Sequence, residues 1–226
     1  MTFEEVYYCP LCRRVLWPRP APGGRRLCGL CGGDLRHADG PSVELLIGTY
    51  DRVERLPATL ATLQAQTHTR FRASVLDEHP TRLASSIVGS FHDVRFSHRP
   101  VGPWRADWHY TVRHEAALRS GADWLGFPTN DGLYAPVYLE RMLAAADGFD
   151  LVACDWVYAH AGYQPWTVEP RVGHIDLGGY LIRTAAYRAV GGFPNRGHEA
   201  DGQLVELLIE RGYRVGLLRQ TLYVQG

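Results

Sequence analysis

Two Cys-x-x-Cys pairs, Cys9–Cys12 and Cys28–Cys31, stand fifteen residues apart near the start of the 226-residue chain. Each pair predicts a tight knuckle that aims two thiolates at one ion, and two knuckles complete a closed tetrahedral S4 shell for Zn2+. A shell with no open position is a scaffold and not a catalytic centre. Gly29, Gly32 and Gly33 suit the turns such knuckles need, and Pro18, Pro20 and Pro22 predict a loop between the pairs. Two disulfides or a redox pair are the competing readings. A redox motif follows a strand and opens a helix, whereas these pairs sit in Gly/Pro-rich sequence. The fifth cysteine, Cys154, falls in an apolar run from Leu151 and reads as a small core residue.

The rest of the chain is long enough, at 46% hydrophobic residues, for one full α/β core. Formal charge is zero, so the whole molecule lacks the basic footprint of a nucleic-acid binder. Residues 1–40 hold six Arg against two Glu and two Asp, too small a surplus to establish nucleic-acid binding by the ribbon. All cationic residues are Arg, scattered through every segment, and carry no functional signal. The acidic start Met1–Glu5 does not resemble a secretion signal, and no apolar run approaches the roughly 20 residues that span a bilayer. A cytoplasmic protein without a membrane span is the expectation, and reduced thiols there favour metal ligation over disulfides.

Beyond a linker at residues 36–42, strand-like and helix-like segments alternate. Strands are predicted at 43–48, 72–77, 94–96, 124–127 and 151–156, and helices at 56–66, 81–88, around His114–Leu118 and at 136–146. Such alternation predicts a mostly parallel sheet with helices on both faces and ligands beyond the carboxyl ends of its strands. The loops there are polar: Thr49-Tyr50-Asp51-Arg52, Asp77-Glu78-His79 and Thr129-Asn130-Asp131. Neither a GxGxxG nor a P-loop pattern follows the first strand, which argues against a dinucleotide dehydrogenase or a P-loop NTPase.

Several stretches appear in an order similar to family-2 glycosyltransferases of GT-A fold, over roughly residues 43–226. Val43–Arg52 resembles the opening strand and its Thr-Tyr-Asn/Asp-Arg loop, and Ser74–Glu78 the second strand. Arg113-His114 stands where the family often has Arg-Asn, and Thr129-Asn130-Asp131 falls on the DxD motif with its first carboxylate replaced. Gly178–Arg183 and Ala189–Pro194 resemble the strand and Val-Gly-Gly-Phe turn ahead of the catalytic region, and Ala200-Asp201 the Glu-Asp motif with Ala in place of Glu. The late His that often adds a metal ligand is missing from Leu222–Gly226.

The resemblance implies a GT-A, Rossmann-like domain at 41–226 behind a zinc ribbon at 1–40. It implies transfer of a sugar from a nucleotide diphosphate sugar to an acceptor hydroxyl, by single displacement with inversion. A hard cation, Mn2+ or Mg2+, would then stabilise the leaving diphosphate, with Asp131 as its ligand. Asp201 is the candidate general base, with Glu199 as the fallback; the competing role for Asp201 is a first-turn helix carboxylate. Donor binding would fall to Thr49, Tyr50, Asp51, Arg52, Asp77, Arg113 and Asn130. His174, Asp176, Gly178 and Gly179 would face the acceptor. Trp104, Trp108, Trp156 and Trp166 fall near predicted loops, where rings stack on sugars or pack in the core. A nucleotide-sugar-binding or adaptor module with decayed chemistry is the alternative, and holding both Asp131 and Asp201 counts against it. A transferase that reads a nucleic-acid acceptor through its ribbon is the other.

Overall fold

The structure, a computed structural model, describes residues 7–9, 12, 14–16, 18–20, 26–33, 36–37, 39–81 and 83–226. Met1–Glu5, Pro22 and Arg82, on which parts of the sequence reading fall, lie outside the described residues.

The N-terminal part is built of short strands: β1 Tyr7–Cys9, β2 Arg14–Leu16, β3 Pro18–Pro20, β4 Arg26–Cys28 and β5 Arg36–His37. They pair as a three-stranded sheet, β2-β1-β5, and a separate hairpin, β3-β4. The prolines expected in a loop thus stand partly in a strand. A two-stranded ladder tolerates this because both of its strands are edges, and the missing Pro18 and Pro20 N–H groups can face outward.

The larger part follows as β6 Val43–Thr49, α1 Leu56–Gln64, β7 Phe71–Asp77, α2 Ala84–Ser90, β8 Phe96–Pro100 and α3 Tyr110–Arg119. Then come β9 Trp124–Gly126, β10 Leu133–Tyr134, α4 Tyr138–Ala145, β11 Leu151–Tyr158 and β12 Gln164–Trp166. The last elements are β13 Tyr180–Arg183, α5 Thr184–Ala189, α6 Ala200–Glu210 and β14 Val215–Gln225. Among the described residues one nine-stranded sheet runs β10-β14-β11-β13-β9-β6-β7-β8, with β12 beside β11.

All seven residues of β6 are buried, as an inner strand covered on both faces requires. β8, β7, β6 and β9 run parallel, β13 enters antiparallel between β9 and β11, and β14 pairs parallel with β11 across two register shifts. The sheet is therefore mixed, its parallel half being the one that the strand–helix alternation predicts. Backbones crowd at its centre: a Cβ on Gly126 would stand 2.7 Å from Leu45 and 2.9 Å from Leu181. On α1, Leu56, Thr59, Leu60 and Leu63 form one buried stripe at helical spacing, with Pro57 in the first turn where its missing N–H costs nothing.

Two boundaries differ most from the sequence reading. The helix expected from Thr81 begins at Ala84, after a turn at Pro80 and Thr81. The strand expected at Val94–Phe96 runs instead over Phe96–Pro100. Asp93 accepts the Arg95 amide at 3.0 Å and pairs with its guanidinium at 2.7 Å, folding 93–95 into a side-chain-closed turn that delays the strand.

Register places the site. Thr49 pairs with Asp77 and Asp77 with Pro100, while an isolated bridge joins Gly48 to Thr129. Four parallel segments therefore end level, and the loops after them meet at one edge of the sheet.

Candidate active site

At that edge Tyr50 stacks on Trp104, ring centroids 4.9 Å apart and planes 12° from parallel, and His79 approaches Tyr50 at 5.6 Å. These rings, with Asp77, Glu78 and Pro103, line a pocket of about 460 Å3, within the range of small-molecule sites. Its walls are aromatic and its charged groups are carboxylates, so it suits a flat ring presenting N–H donors.

Asp77 and Glu78 stand differently in this pocket. Both oxygens of Asp77 are engaged: Oδ2 with His98 Nε2 at 2.8 Å, Oδ1 by the His79 amide at 3.0 Å. Glu78 is buried, its Oε2 meets His109 Nδ1, and its Oε1 is buried with no hydrogen-bond partner. A buried carboxylate oxygen without a donor costs free energy unless something supplies one. Burial holds the His109 imidazole below its ordinary pKa, against the opposing pull of Glu78.

His109 stands at the end of a loop in which Ala106, Trp108 and His109 all have positive φ. None is glycine, and such backbone costs of order 1 kcal/mol or more per residue, so tertiary contacts must impose it. One such contact is Gly48: a Cβ there would lie 2.4 Å from the His109 ring, so only glycine lets the imidazole cross β6. The same loop exposes Trp108, 55% accessible, edge-on to His198 at 5.4 Å.

Next to the pocket, Asn130 donates to Thr49 Oγ1 at 3.2 Å and to the Asp51 carbonyl at 2.8 Å, tying the loop after β9 to the loop after β6. Asp131 is ion-paired to Arg52 at 3.0 Å and to Arg55 at 3.7 Å. Thr129, in place of the expected carboxylate, shares a 3.3 Å hydrogen bond with the Tyr223 hydroxyl. Tyr223 stacks on Tyr134 at 5.0 Å, and both phenols are held well above their ordinary pKa, first by burial and then by the charge of Asp176.

Asp176 connects the two ends of the cleft. It accepts the Gly178 amide at 2.8 Å, and burial, reinforced by repulsion from Asp131, raises its pKa to about 6. Gly178 and Gly179 form the buried turn behind it; a Cβ on Gly178 would meet the Tyr223 hydroxyl at 2.6 Å. Asp201, in the first turn of α6, accepts the Gly202 amide at 2.7 Å. Burial, then repulsion from Asp176, raises its pKa to about 7. Asp131, Asp176 and Asp201 thus form a series in which each carboxylate feels the next.

Of three further expected site residues, Arg113 and His174 have their own partners. Arg113 is buried, and its guanidinium donates to the carbonyls of Trp108, Pro128 and Leu46 at 2.9, 3.1 and 3.3 Å. It pins the site's loops by these three carbonyls. Glu199 is exposed at the N-cap position of α6, and its side chain makes no capping bond. His174 lies beside Glu169 at 3.6 Å and against Trp166 at 5.8 Å.

The four N-terminal cysteines are free thiols, and their sulfurs all lie within 4.8 Å of one another. Cys9 and Cys31 Sγ are 3.6 Å apart, Cys12 and Cys28 Sγ 3.9 Å, close to the edge of about 3.8 Å that a zinc–sulfur bond of about 2.3 Å gives a tetrahedron. The Cys12 amide donates to Cys9 Sγ and the Leu30 amide to Cys28 Sγ, both at 3.4 Å, as knuckles that stabilise thiolate require. Burial alone would push the Cys28 thiol up; donation from the Cys31 and Leu30 amides helps bring it down to about 7. Among the described residues this is the one cluster of three or more His, Cys, Asp or Glu side chains close enough to share an ion.

The model of the family described as Glycosyl transferase family 2 matches residues 45–193, two thirds of the chain. The chain belongs to glycosyl transferase family 2. No curated protein matches it. Among solved structures, it is similar to the mannosyltransferase PcManGT from Pyrobaculum calidifontis in complex with GDP-Man and Mn2+. That match has a TM-score of 0.67 and 16% identity, over 83% of this chain and 57% of the other. It is similar also to S. aureus TarS in complex with UDP-GlcNAc, with a TM-score of 0.64 and 16% identity, over 81% of this chain and 58% of that one. This glycosyl transferase family 2 chain thus shares the GT-A fold and spans about three fifths of the length of those structures. Among its described residues no helix is long and apolar enough to cross a membrane.

Proposed function

We propose that the chain transfers a sugar from a nucleotide diphosphate sugar to an acceptor hydroxyl, with inversion at the anomeric carbon. One observation carries this reading. The aromatic-walled pocket, lined by Asp77 and Glu78, opens on the same sheet edge as the Asp131–Asp176–Asp201 series.

In this reading the base stacks against the wall of Tyr50 and Trp104 and donates an N–H to Glu78, whose buried side chain must turn to bring an oxygen to the pocket. Asp77, each of whose oxygens already takes one donor from His98 or the His79 amide, positions the strand end, and the base contact is assigned to its neighbour. Thr49, Asp51 and Asn130 hold the ribose end of the cleft. Asp131 offers the hard oxygen that suits Mn2+ or Mg2+, and such a cation, when bound, would neutralise the leaving diphosphate.

Asp201 takes the proton of the acceptor hydroxyl as that oxygen attacks the anomeric carbon and the bond to the diphosphate breaks. A pKa near 7 suits this role, because the carboxylate is then basic enough to accept a proton and still ionised in a useful fraction at neutral pH. Burial holds it there first and repulsion from Asp176 second, so the part of Asp176 is positioning and tuning.

The four cysteines would hold a structural Zn2+ in a ribbon over residues 1–40, and residues 41–226 would form the transferase unit. Reduced thiolate ligands suit a cytoplasmic setting. The test is to incubate the full chain with Mn2+ or Mg2+ and a panel of UDP-, GDP- and dTDP-sugars and to measure nucleotide release. Release from at least one donor, lost in Asp131→Ala, is expected; no release and no binding with any donor would remove the transferase reading.

A further inference from the structure

Asp131 does not stand free in the cleft. Its side chain is 6% exposed, whereas the arginines that reach it, Arg52 and Arg55, are 44% and 45% exposed. Arg52 Nη1 lies 3.0 Å from Asp131 Oδ2 and Arg55 Nη1 3.7 Å from the same oxygen. The backbone is arranged for this. Arg52 sits in the left-handed region at φ 48, heading a tight turn over Val53–Arg55 that the Arg55 amide closes on the Arg52 carbonyl at 3.0 Å. A non-glycine residue keeps such a conformation only where its surroundings hold it there.

The charges decide what this corner accepts first. Two guanidinium ions reach the same oxygen of Asp131, so a dication must displace both before it can bind there. A nucleotide diphosphate sugar brings two negative charges, and guanidinium forks match phosphate oxygens in geometry as well as sign. Once the arginines have moved to phosphate, the Asp131 oxygens face the incoming cation without competition.

We propose that Arg52 and Arg55 form a two-guanidinium clamp for the donor's diphosphate, parked on Asp131 until the donor arrives, so that Asp131 accepts a divalent cation only with nucleotide in place. The clamp rests on the reading of this cleft as a donor site, and it adds Arg55 and an order of binding. The diphosphate then has a foothold that needs no metal, and nucleotide and cation strengthen each other's binding by the same factor.

The experiment is calorimetric titration of UDP, GDP and dTDP into the full chain in EDTA, with Mn2+ binding followed separately by electron paramagnetic resonance with and without each nucleotide. It is repeated on Arg55→Ala, Arg55→Lys and the double variant Arg52→Met/Arg55→Met. At least one nucleotide binds in EDTA. Arg55→Ala weakens that binding about tenfold and Arg55→Lys less, as the loss of one charged phosphate contact predicts. Nucleotide tightens Mn2+ binding to the unaltered chain at least about fivefold. The double variant, its carboxylate freed, binds Mn2+ alone more tightly than the unaltered chain does. Unchanged nucleotide affinity in the variants, or Mn2+ binding that ignores nucleotide, overturns the clamp and leaves the donor reading intact. If no nucleotide binds under any condition, the donor reading falls and the clamp with it.

Discussion

Replacing Asp201 with Asn should make the protein more stable at high pH and at the same time inactive. The Asp201 carboxyl titrates near 7 in the folded chain against an ordinary 3.8, because burial and the charge of Asp176 disfavour its ionised form. At 1.36 kcal/mol per pKa unit, keeping that charge in the folded state costs about 4 kcal/mol relative to the unfolded chain. The unfolded chain releases this proton near pH 4 and the folded chain near pH 7. Stability therefore falls as pH rises between those values, and the penalty is constant above them. That figure already contains the opposing pull of the Gly202 amide, which the carboxylate accepts at the positive end of α6. The gain for Asp201→Asn is therefore about 4 kcal/mol at pH 8, or about 8–16 °C in Tm for a chain of this size. Thermal melts of both proteins from pH 4 to pH 8 check it, with the gain vanishing towards pH 4. Nucleotide release from a productive donor should drop by about 10²–10⁴ in the same variant. In the unaltered chain that release should rise through pH 7, and Asp176→Asn should move its midpoint to lower pH. A variant that melts at or below the parent at pH 8, or whose gain is the same at pH 4, would refute the reasoning.

Three further outcomes follow from the geometry. Glu78→Gln gives the pocket an amide in place of an acceptor-only carboxylate, and nucleotide affinity measured by calorimetry should fall about tenfold with Tm little changed; equal affinity would remove Glu78 from base recognition. The full chain purified without chelator should carry one zinc per molecule by elemental analysis, and Cys28→Ser should lose it while the thermal transition of the larger domain persists; a metal-free parent with four titratable thiols would exclude the ribbon. Arg113→Ala strands the carbonyls of Leu46, Trp108 and Pro128 and should cost about 2–4 kcal/mol in chemical denaturation; a loss below about 0.5 kcal/mol would mean that the guanidinium does not hold the loops.

The parallel half of the sheet was legible because its inner strands are buried on both faces and write themselves as apolar runs between helical periods. β6 and β7 are such strands. The antiparallel insertion of β13 was not, since strand order depends on long-range pairing that periodicity does not encode. At the site, the meeting of Thr49, Asn130 and Asp131 could be expected from loops after adjacent parallel strands. Three features could not. Asp77 and Glu78 are neighbours in sequence, and only His98 on the adjacent strand and His109 on a distant loop reveal which oxygens are taken. Arg113 reads as a helix charge until its three carbonyl partners, one of them sixty-seven residues away, are seen. Arg55 looks like an ordinary helix-entry residue, and it is the left-handed turn at Arg52 that carries it to Asp131.

The most direct measurement is a crystal structure of the full chain soaked with Mn2+ and whichever nucleotide or nucleotide sugar binds in solution. Density for the base against Tyr50 and Trp104, with an N–H on Glu78 and the diphosphate beside Asp131, is the predicted result. A ligand bound at saturating concentration anywhere else on the molecule, with the cleft at the ends of β6, β7 and β9 unchanged, would contradict the account.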